Sequence, residues 1–220
     1  MNTNILGFII SAIYMLSVFG IAYALSGKGK EFTRKFIHIM LGNWWIIAAL
    51  CFDDVKYAVI LPALFVVVNY LSHKYKLIKM MERDSSDVGE GKDTYGTVFY
   101  AVSLLVLVLY TYLLKKMPML GLTGIFTMAY GDGLAAVLGT KFGKKKILKN
   151  SNKSVVGTTV MFVVTFIIHL VFFMVYGVKY AILKAILMAL IASVIELFAK
   201  RGTDNLFVPI VTTIVAGFLM

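Results

Sequence analysis

The sequence predicts an all-α, polytopic integral membrane protein that forms a single membrane domain over residues 1–220. Three observations support this fold class: 60% of the residues are hydrophobic, only 15% are charged, and the mean hydropathy is +0.87. Soluble domains contain about 45–50% apolar and about 25% charged residues. No Pro-, Ser- or Gly-rich linker divides the chain. An ordinary water-soluble domain is therefore excluded.

The apolar segments, taken in order, predict seven or eight transmembrane helices, since each crossing of the hydrocarbon core needs about 20 residues. Polar or basic breaks bound every segment. The second segment contains Gly42-Asn43-Trp44 and the last segment is short, so seven spans remain an alternative to eight. The predicted spans are 5–25, 36–52, 55–72, 95–114, 117–139, 156–176, 180–199 and 205–220.

Lysine and arginine residues are unevenly distributed between alternate loops. One set of loops holds 17 of them, and the opposite set holds only Lys56, Lys115, Lys116 and Lys179, with Lys184 inside the seventh span. Because Lys and Arg concentrate in cytoplasmic loops, the first set predicts the cytoplasmic side, and both termini are expected outside. The net charge of +11 thus indicates topology and contact with the lipid bilayer. We expect no nucleic-acid partner.

Ionisable and amide residues near the spans all fall on the predicted cytoplasmic side. Such residues are costly in hydrocarbon and mark functional sites. Their one-sided distribution favours an enzyme with a cytosolic co-substrate over a transporter, whose polar groups lie near the midplane. The residues are Arg34, Lys35 and His38 at the start of the second span, Asp132 in the fifth, Lys153 before the sixth, Glu196 at the end of the seventh, and Asp204 and Asn205 at the start of the eighth.

Arg34 and His38 are four residues apart and share a helix face, with Lys35 beside them. A cation and an imidazole on one face can bind a polyphosphate. A basic residue at a helix start can also extend towards the membrane surface, and for Lys35 that explanation is as good as phosphate binding. We therefore favour Arg34 and His38 as phosphate contacts.

Asp132 lies between Gly131 and Gly133 in an otherwise apolar helix and has no local partner in the sequence. Gly131, Ala135 and Gly139 recur every four residues and predict close helix packing. Packing does not explain the carboxylate. An aspartate in this position can hold magnesium, which needs only one or two protein carboxylates, or can act as a base towards a hydroxyl.

Lys153 and Ser154 precede the sixth span, and Gly157 lies in its first turn. Free N–H groups and the helix dipole favour an anion at this position, so a phosphate site is expected here. Ser154 could instead be an ordinary N-cap. The G-x-x-x-x-G-K-[ST] spacing of a Walker A loop is absent from this segment.

Glu196 and Asp204 each have a local alternative to a shared site. Glu196 could pair with Lys200 four residues later, and Asp204 could cap the last helix. We expect both carboxylates to converge on one cytoplasmic pocket instead.

In this order, these motifs resemble the membrane-embedded lipid-alcohol kinase family that includes dolichol kinase, phytol kinase and CTP-dependent diacylglycerol kinases. The resemblance extends from Arg34 to Pro209. It is carried by Arg34-Lys35-x-x-His38, Tyr95-Gly96-Thr97 after Gly91, Gly131-Asp132-Gly133-x-Ala135, Gly139-x-x-Phe142-Gly143-x-Lys145, Lys153-Ser154 with Gly157-Thr158, Glu196, and Asp204-Asn205-Leu206-x-x-Pro209. Val156 stands where the family usually has a glutamate.

The resemblance implies transfer of the γ-phosphoryl group of a nucleoside triphosphate, typically CTP, to the hydroxyl of a membrane lipid alcohol with Mg²⁺ as cofactor. The acceptor could be a polyprenol, phytol or geranylgeraniol, or diacylglycerol. The implied roles are Asp132 and Lys153 in catalysis; Arg34, His38, Lys145, Ser154, Gly157 and Asn205 in nucleotide binding; and Asp132, Glu196 and Asp204 as metal ligands.

Two other functions remain alternatives. The central motifs are also similar to those of integral-membrane phosphatidate cytidylyltransferases, which make a CDP-lipid, but the C-terminal signature of that family is missing. A non-catalytic lipid-binding membrane protein would retain the fold without turnover.

Overall fold

The computed structural model describes residues 2–75, 95–147 and 153–220, with the backbone alone described for Lys30 and Glu31. Within these residues the chain forms eight successive helical rods and no β-strand, so the predicted all-α polytopic fold is confirmed. The ten α-helices are α1 Thr3–Ala24, α2 Lys30–Cys51, α3 Val55–Ala58, α4 Ile60–Tyr75, α5 Gly96–Leu109, α6 Gly121–Phe126, α7 Gly133–Phe142, α8 Val155–Val175, α9 Ala181–Phe198 and α10 Asp204–Leu219.

Several of these helices join into longer rods. α3 and α4 form the rod Val55–Tyr75, and a π-helical turn extends α5 to Leu114. The rod Pro118–Phe142 contains α6, a π-helical segment Thr127–Asp132, and α7. Six rods among the described residues are long and apolar enough to cross a membrane. They match six of the predicted spans.

The remaining two predicted spans correspond to α2 and α10, which differ from the other rods. α10 is apolar but only 16 residues long. α2 begins at Lys30 rather than at residue 36, where the second span was expected, because the chain turns at Gly29, whose φ is +111°. Arg34 and His38 therefore lie inside this helix and not at its start. Their positions relative to the neighbouring rods are fixed by the helix.

The rod Pro118–Phe142 is the central element, because it is the most buried of the six rods that are long enough to cross a membrane. Gly42 of α2 packs against Ala129, and Gly124 packs against the backbone of Pro209 in α10. A Cβ atom on Gly139 would lie 3.2 Å from the Cα of Gly157, so α7 and α8 approach closely along the predicted stripe of small residues. These close contacts place α2, α8 and α10 around Asp132.

Candidate active site

Asp132 lies at the end of the π-helical segment and is buried against α2. The Lys35 Nζ atom donates to Asp132 Oδ2 at 2.8 Å, and His38 Nε2 lies 3.7 Å from the same oxygen. The side chains of Lys35 and Asp132 are only 8% and 7% exposed. A carboxylate that is buried this deeply is stabilised only if a cation compensates for its lost hydration. Lys35 supplies that charge.

His38 is held in place by two further contacts. Its Nε2 atom is 3.1 Å from the carbonyl oxygen of Met128, one turn before Asp132. The ring of Tyr100 meets the His38 ring edge-on at 4.9 Å, and the Tyr100 hydroxyl donates to the His38 carbonyl. The imidazole is therefore positioned beside Asp132 by both α5 and the π-helical segment.

Arg34 lies next to Lys35 on α2. On this helix, Lys35 forms an ion pair with Asp132. Arg34 is half-buried and close enough to His38 for an electrostatic interaction. The expectation that Arg34 contacts a phosphate stays a prediction.

A second ion-pair cluster forms where three helix ends meet. Lys153 Nζ contacts Glu196 Oε1 in the last turn of α9 and lies 3.4 Å from Asp204 Oδ2 at the start of α10. Burial lowers the pKa of Lys153, but the Asp204, Asp132 and Glu196 carboxylates raise it by more, so its net shift is upward. Lys153 is therefore a permanent cation at neutral pH.

The two clusters belong to one charged site. The Asp132 carboxylate acts electrostatically on both Lys153 and Glu196. The expected convergence of Glu196 and Asp204 is confirmed, and the local Glu196–Lys200 pair is replaced by the contact with Lys153, 43 positions away. The site thus gathers three carboxylates and two ammonium groups at one end of the bundle.

Ser154 and Gly157 are used structurally at the start of α8. Ser154 Oγ accepts from the Gly157 N–H at 3.1 Å, which is the ordinary N-cap arrangement. The Val155 N–H donates to the Lys145 carbonyl, so the segments at 145–147 and 153–155 run antiparallel. The N–H groups of Val155 and Gly157 already have partners, so they are not available to bind a phosphate in this arrangement. The side chain of Lys145 is exposed.

Asn205 links the start of α10 to the start of α5. Its Nδ2 atom donates to the Gly96 carbonyl at 2.9 Å, while its Oδ1 atom is buried without a hydrogen-bond partner. Gly202, with a φ of +83°, allows this approach, since a Cβ atom there would lie 2.6 Å from the Gly96 Cα. Asn205 and the segment Tyr95-Gly96-Thr97 therefore adjoin Asp204.

The carboxylates of this site suit a magnesium ion. Glu196 Oε2 is buried and lacks a hydrogen-bond partner, so one acidic oxygen beside Asp204 is unsatisfied. No group of three or more Asp, Glu, His or Cys side chains within the described residues forms a metal cluster by itself. Magnesium needs fewer protein ligands than that, because phosphate and water oxygens complete its octahedron.

Sequence reasoning undervalued Lys35 and missed Tyr100. The only signal for Lys35 was its spacing of three from His38, which places both on one helix face. Nothing in the sequence indicated Tyr100. Gly91 and five of the 17 loop cations counted in the sequence analysis lie outside the described residues; the five cations are Lys76, Lys79, Arg83, Lys92 and Lys149.

The chain is similar to several plant and cyanobacterial proteins. It is 31% identical over 195 residues to a phytol kinase of Synechocystis sp., which covers 87% of this chain and 81% of that protein. It is 30% identical over 168 residues to phytol kinase 1 of Arabidopsis thaliana, and 25% identical over 172 residues to the farnesol kinase of the same plant. These matches cover 67% and 72% of this chain, and 53% and 54% of the two chloroplastic proteins.

No family model matches the chain, and no solved structure matches it. The fold and site together define a helical membrane protein with a charged site at one end of its bundle. The extent of the match to the Synechocystis protein shows that the chain belongs to the phytol kinase family, a family of lipid-alcohol kinases.

Proposed function

We propose that this protein transfers the γ-phosphoryl group of a nucleoside triphosphate, typically CTP as the family resemblance implies, to the hydroxyl of an isoprenoid alcohol in the membrane. The names of the relatives, phytol kinase and farnesol kinase, support the isoprenoid class of acceptor. The observation that carries the proposal is the buried cluster in which Asp132 lies between Lys35, His38 and the Lys153 group. Phosphoryl transfer depends mainly on such positioning and charge.

Asp132 is the proposed base. The alcohol hydroxyl loses its proton to the carboxylate, its oxygen forms the new bond to the γ-phosphorus, and a nucleoside diphosphate leaves. Lys35 keeps the carboxylate ionised and fixes its direction through the 2.8 Å contact. His38 borders the same oxygen, and to donate to the transferring phosphoryl group its Nε2–H would have to leave the Met128 carbonyl.

Lys153 is the proposed phosphate-binding cation, and Arg34 and Lys145 are proposed further contacts. Lys153 is only partly buried, with 25% of its side chain exposed, so a phosphate can reach it. Glu196 and Asp204 would hold magnesium, which when bound neutralises charge on the phosphate oxygens. Asp132 was also expected as a ligand, but among the described residues it does not form a three-carboxylate metal group with them. Asn205 and the helix start at Ser154 and Gly157 would border the nucleotide.

The active site is proposed to face the cytoplasm. The loop charges support this orientation, because Lys144, Lys145 and Lys146 lie beside the site while the sparse lysines lie at the other end of the rods. A cytosolic nucleotide could then meet an acceptor that arrives through the bilayer.

The test is a transfer assay with purified protein and γ-labelled CTP or ATP in parallel. The acceptor panel is phytol, geranylgeraniol, farnesol, a dolichol, diacylglycerol and, for the cytidylyltransferase alternative, phosphatidate; the Asp132→Asn protein purified in the same way is the background control. We expect label in the lipid phosphate of an isoprenoid alcohol. Release of pyrophosphate with formation of a CDP-lipid would establish a cytidylyltransferase instead, and no transfer to any alcohol would contradict the proposal.

A further inference from the structure

A second polar cluster, formed by Tyr14, Asn43 and Tyr130, lies between α1, α2 and the π-helical segment. The Tyr130 hydroxyl donates to Asn43 Oδ1 at 2.6 Å, and the Tyr14 hydroxyl donates to the Met40 carbonyl at 2.6 Å. Asn43 also forms a side-chain hydrogen bond with Tyr14. We call these three residues the hydroxyl cluster. The proposed reaction assigns no role to the hydroxyl cluster.

The hydroxyl cluster lies on the same two elements as the charged site. Tyr130 is two residues before Asp132, and Asn43 is five residues after His38. Five helical residues correspond to about 7.5 Å along α2, in the direction away from its basic start. The hydroxyl cluster therefore lies further along α2 than the charged site, on the side away from the basic start of this helix.

The cluster keeps hydrogen-bonding capacity for a ligand, although each of its polar side chains already has a partner within the protein. The contact of Asn43 Nδ2 with Met40 Sδ is 3.9 Å long, and a thioether is a weak acceptor. A phenol that donates, as Tyr130 does, keeps lone pairs that can accept. All three side chains are half-buried in a bundle whose outer surface meets lipid. Polar groups in hydrocarbon are costly unless they are hydrogen-bonded, and a polar cluster inside a membrane bundle is a candidate binding site.

We propose that the hydroxyl cluster binds the alcohol group of the acceptor lipid as it approaches Asp132. Asn43 Nδ2 donates to the alcohol oxygen, and the Tyr130 oxygen accepts from the alcohol O–H. The cluster contains no charged side chain, so it fits a neutral hydroxyl and not the phosphorylated product. This inference rests on the proposed function, since it names the binding site for the acceptor of that reaction.

Kinetics of two variants test the inference. Tyr130→Phe and Asn43→Leu should each raise the KM for phytol about 3- to 10-fold, as expected for the loss of one hydrogen bond, with the KM for the nucleotide unchanged. Tyr112→Phe is the matched control, because its hydroxyl also donates to a carbonyl, that of Ala48, at 2.6 Å. The control should leave the KM for phytol within about twofold of wild type.

A merely structural role would give a different pattern. Tyr130→Phe would then lower the thermal midpoint and kcat as Tyr112→Phe does, with the KM for phytol unchanged. That result would overturn the inference.

Photolabelling separates this inference from the proposed function. A phytol analogue with a diazirine next to its hydroxyl-bearing carbon should label the segments around Tyr14, Asn43 and Tyr130. Phytol should compete with the label, and phytane, which lacks the hydroxyl, should not. If the protein transfers phosphate to no alcohol but this competitive labelling persists, the proposed function fails and the binding site stands. If transfer occurs but labelling lies elsewhere, the binding site is wrong.

Discussion

The two ends of α10 use half-buried lysines in different ways. At its start, Asp204 lies near Lys153, which also contacts Glu196. At its end, Lys115 donates to the Gly217 carbonyl at 2.8 Å and Lys184 donates to the Leu219 carbonyl at 2.6 Å. The second pair satisfies carbonyl groups that a helix end leaves open and complements the helix dipole.

This difference shows which lysines are structural. A backbone carbonyl is neutral and cannot move to another partner, so Lys115 and Lys184 stabilise the helix end. Carboxylates can bind a metal ion or take a proton, and the lysines beside them can exchange a carboxylate for a phosphate. The charge of a lysine is the same at both ends, and its acceptor decides its role.

Removing the Asp132 carboxylate should have the largest effect on turnover. Asp132→Asn keeps the size of the side chain but removes its charge and its ability to take a proton. We expect turnover to fall roughly 10²- to 10⁴-fold, the usual contribution of a general base. Steady-state transfer assays over a range of magnesium concentrations measure it. Near-normal turnover would show that Asp132 serves packing alone.

Lys153→Ala should have the next largest effect. The substitution removes a charge-assisted contact worth about 1.5–3 kcal/mol, so nucleotide affinity or turnover should fall about 10- to 150-fold. Lys200→Ala is the matched control, because Lys200 is exposed near the same helix end. Equal kinetic losses in the two variants, measured in detergent, would remove the support for phosphate binding by Lys153.

Substitution at the other end of α10 should affect stability and not chemistry. Lys184→Ala removes a contact with the last carbonyls of the helix and should lower the free energy of unfolding by about 0.5–1 kcal/mol. Thermal unfolding in detergent measures this change, and transfer assays at low temperature should give wild-type turnover. A large kinetic loss with unchanged stability would contradict the structural role.

Val156→Glu should have the smallest effect. Val156 is half-buried in the first turn of α8, where the lipid-alcohol kinases that this chain resembles usually carry a glutamate. Acidic residues are favourable at a helix start, so we expect activity between unchanged and about threefold higher. A loss of activity greater than tenfold would show that the pocket has adapted to the apolar side chain.

Much of the fold could be predicted from the sequence, because apolar length alone determines where a helix can cross a membrane. Six of the eight predicted spans match rods long enough to cross a membrane, and the convergence of Glu196 and Asp204 followed from placing the polar residues on one side. The four-residue repeat of small residues also predicted close helix packing, and Gly139 of that repeat lies against Gly157.

The partners within the site could not be predicted, because they depend on contacts between distant segments. Lys35 and Asp132 are 97 positions apart, and their contact joins α2 to the end of the π-helical segment. Local rules extend only three or four residues along a helix. For the same reason, the hydrogen bond from the Val155 N–H to the Lys145 carbonyl could not be predicted. This bond uses an N–H group at the helix start that was expected to be free for a phosphate.

We expect the carboxylate-bearing end of the bundle to face the cytoplasm, where it would meet the nucleotide. Single-cysteine variants in a Cys51→Ser background test it most directly, with Lys144→Cys at that end and Lys179→Cys at the other. Both parent residues are exposed. In intact cells, a membrane-impermeant thiol reagent should label the cysteine at 179 and should label that at 144 only after the membrane is opened. External labelling at 144 would contradict both the orientation and the nucleotide site.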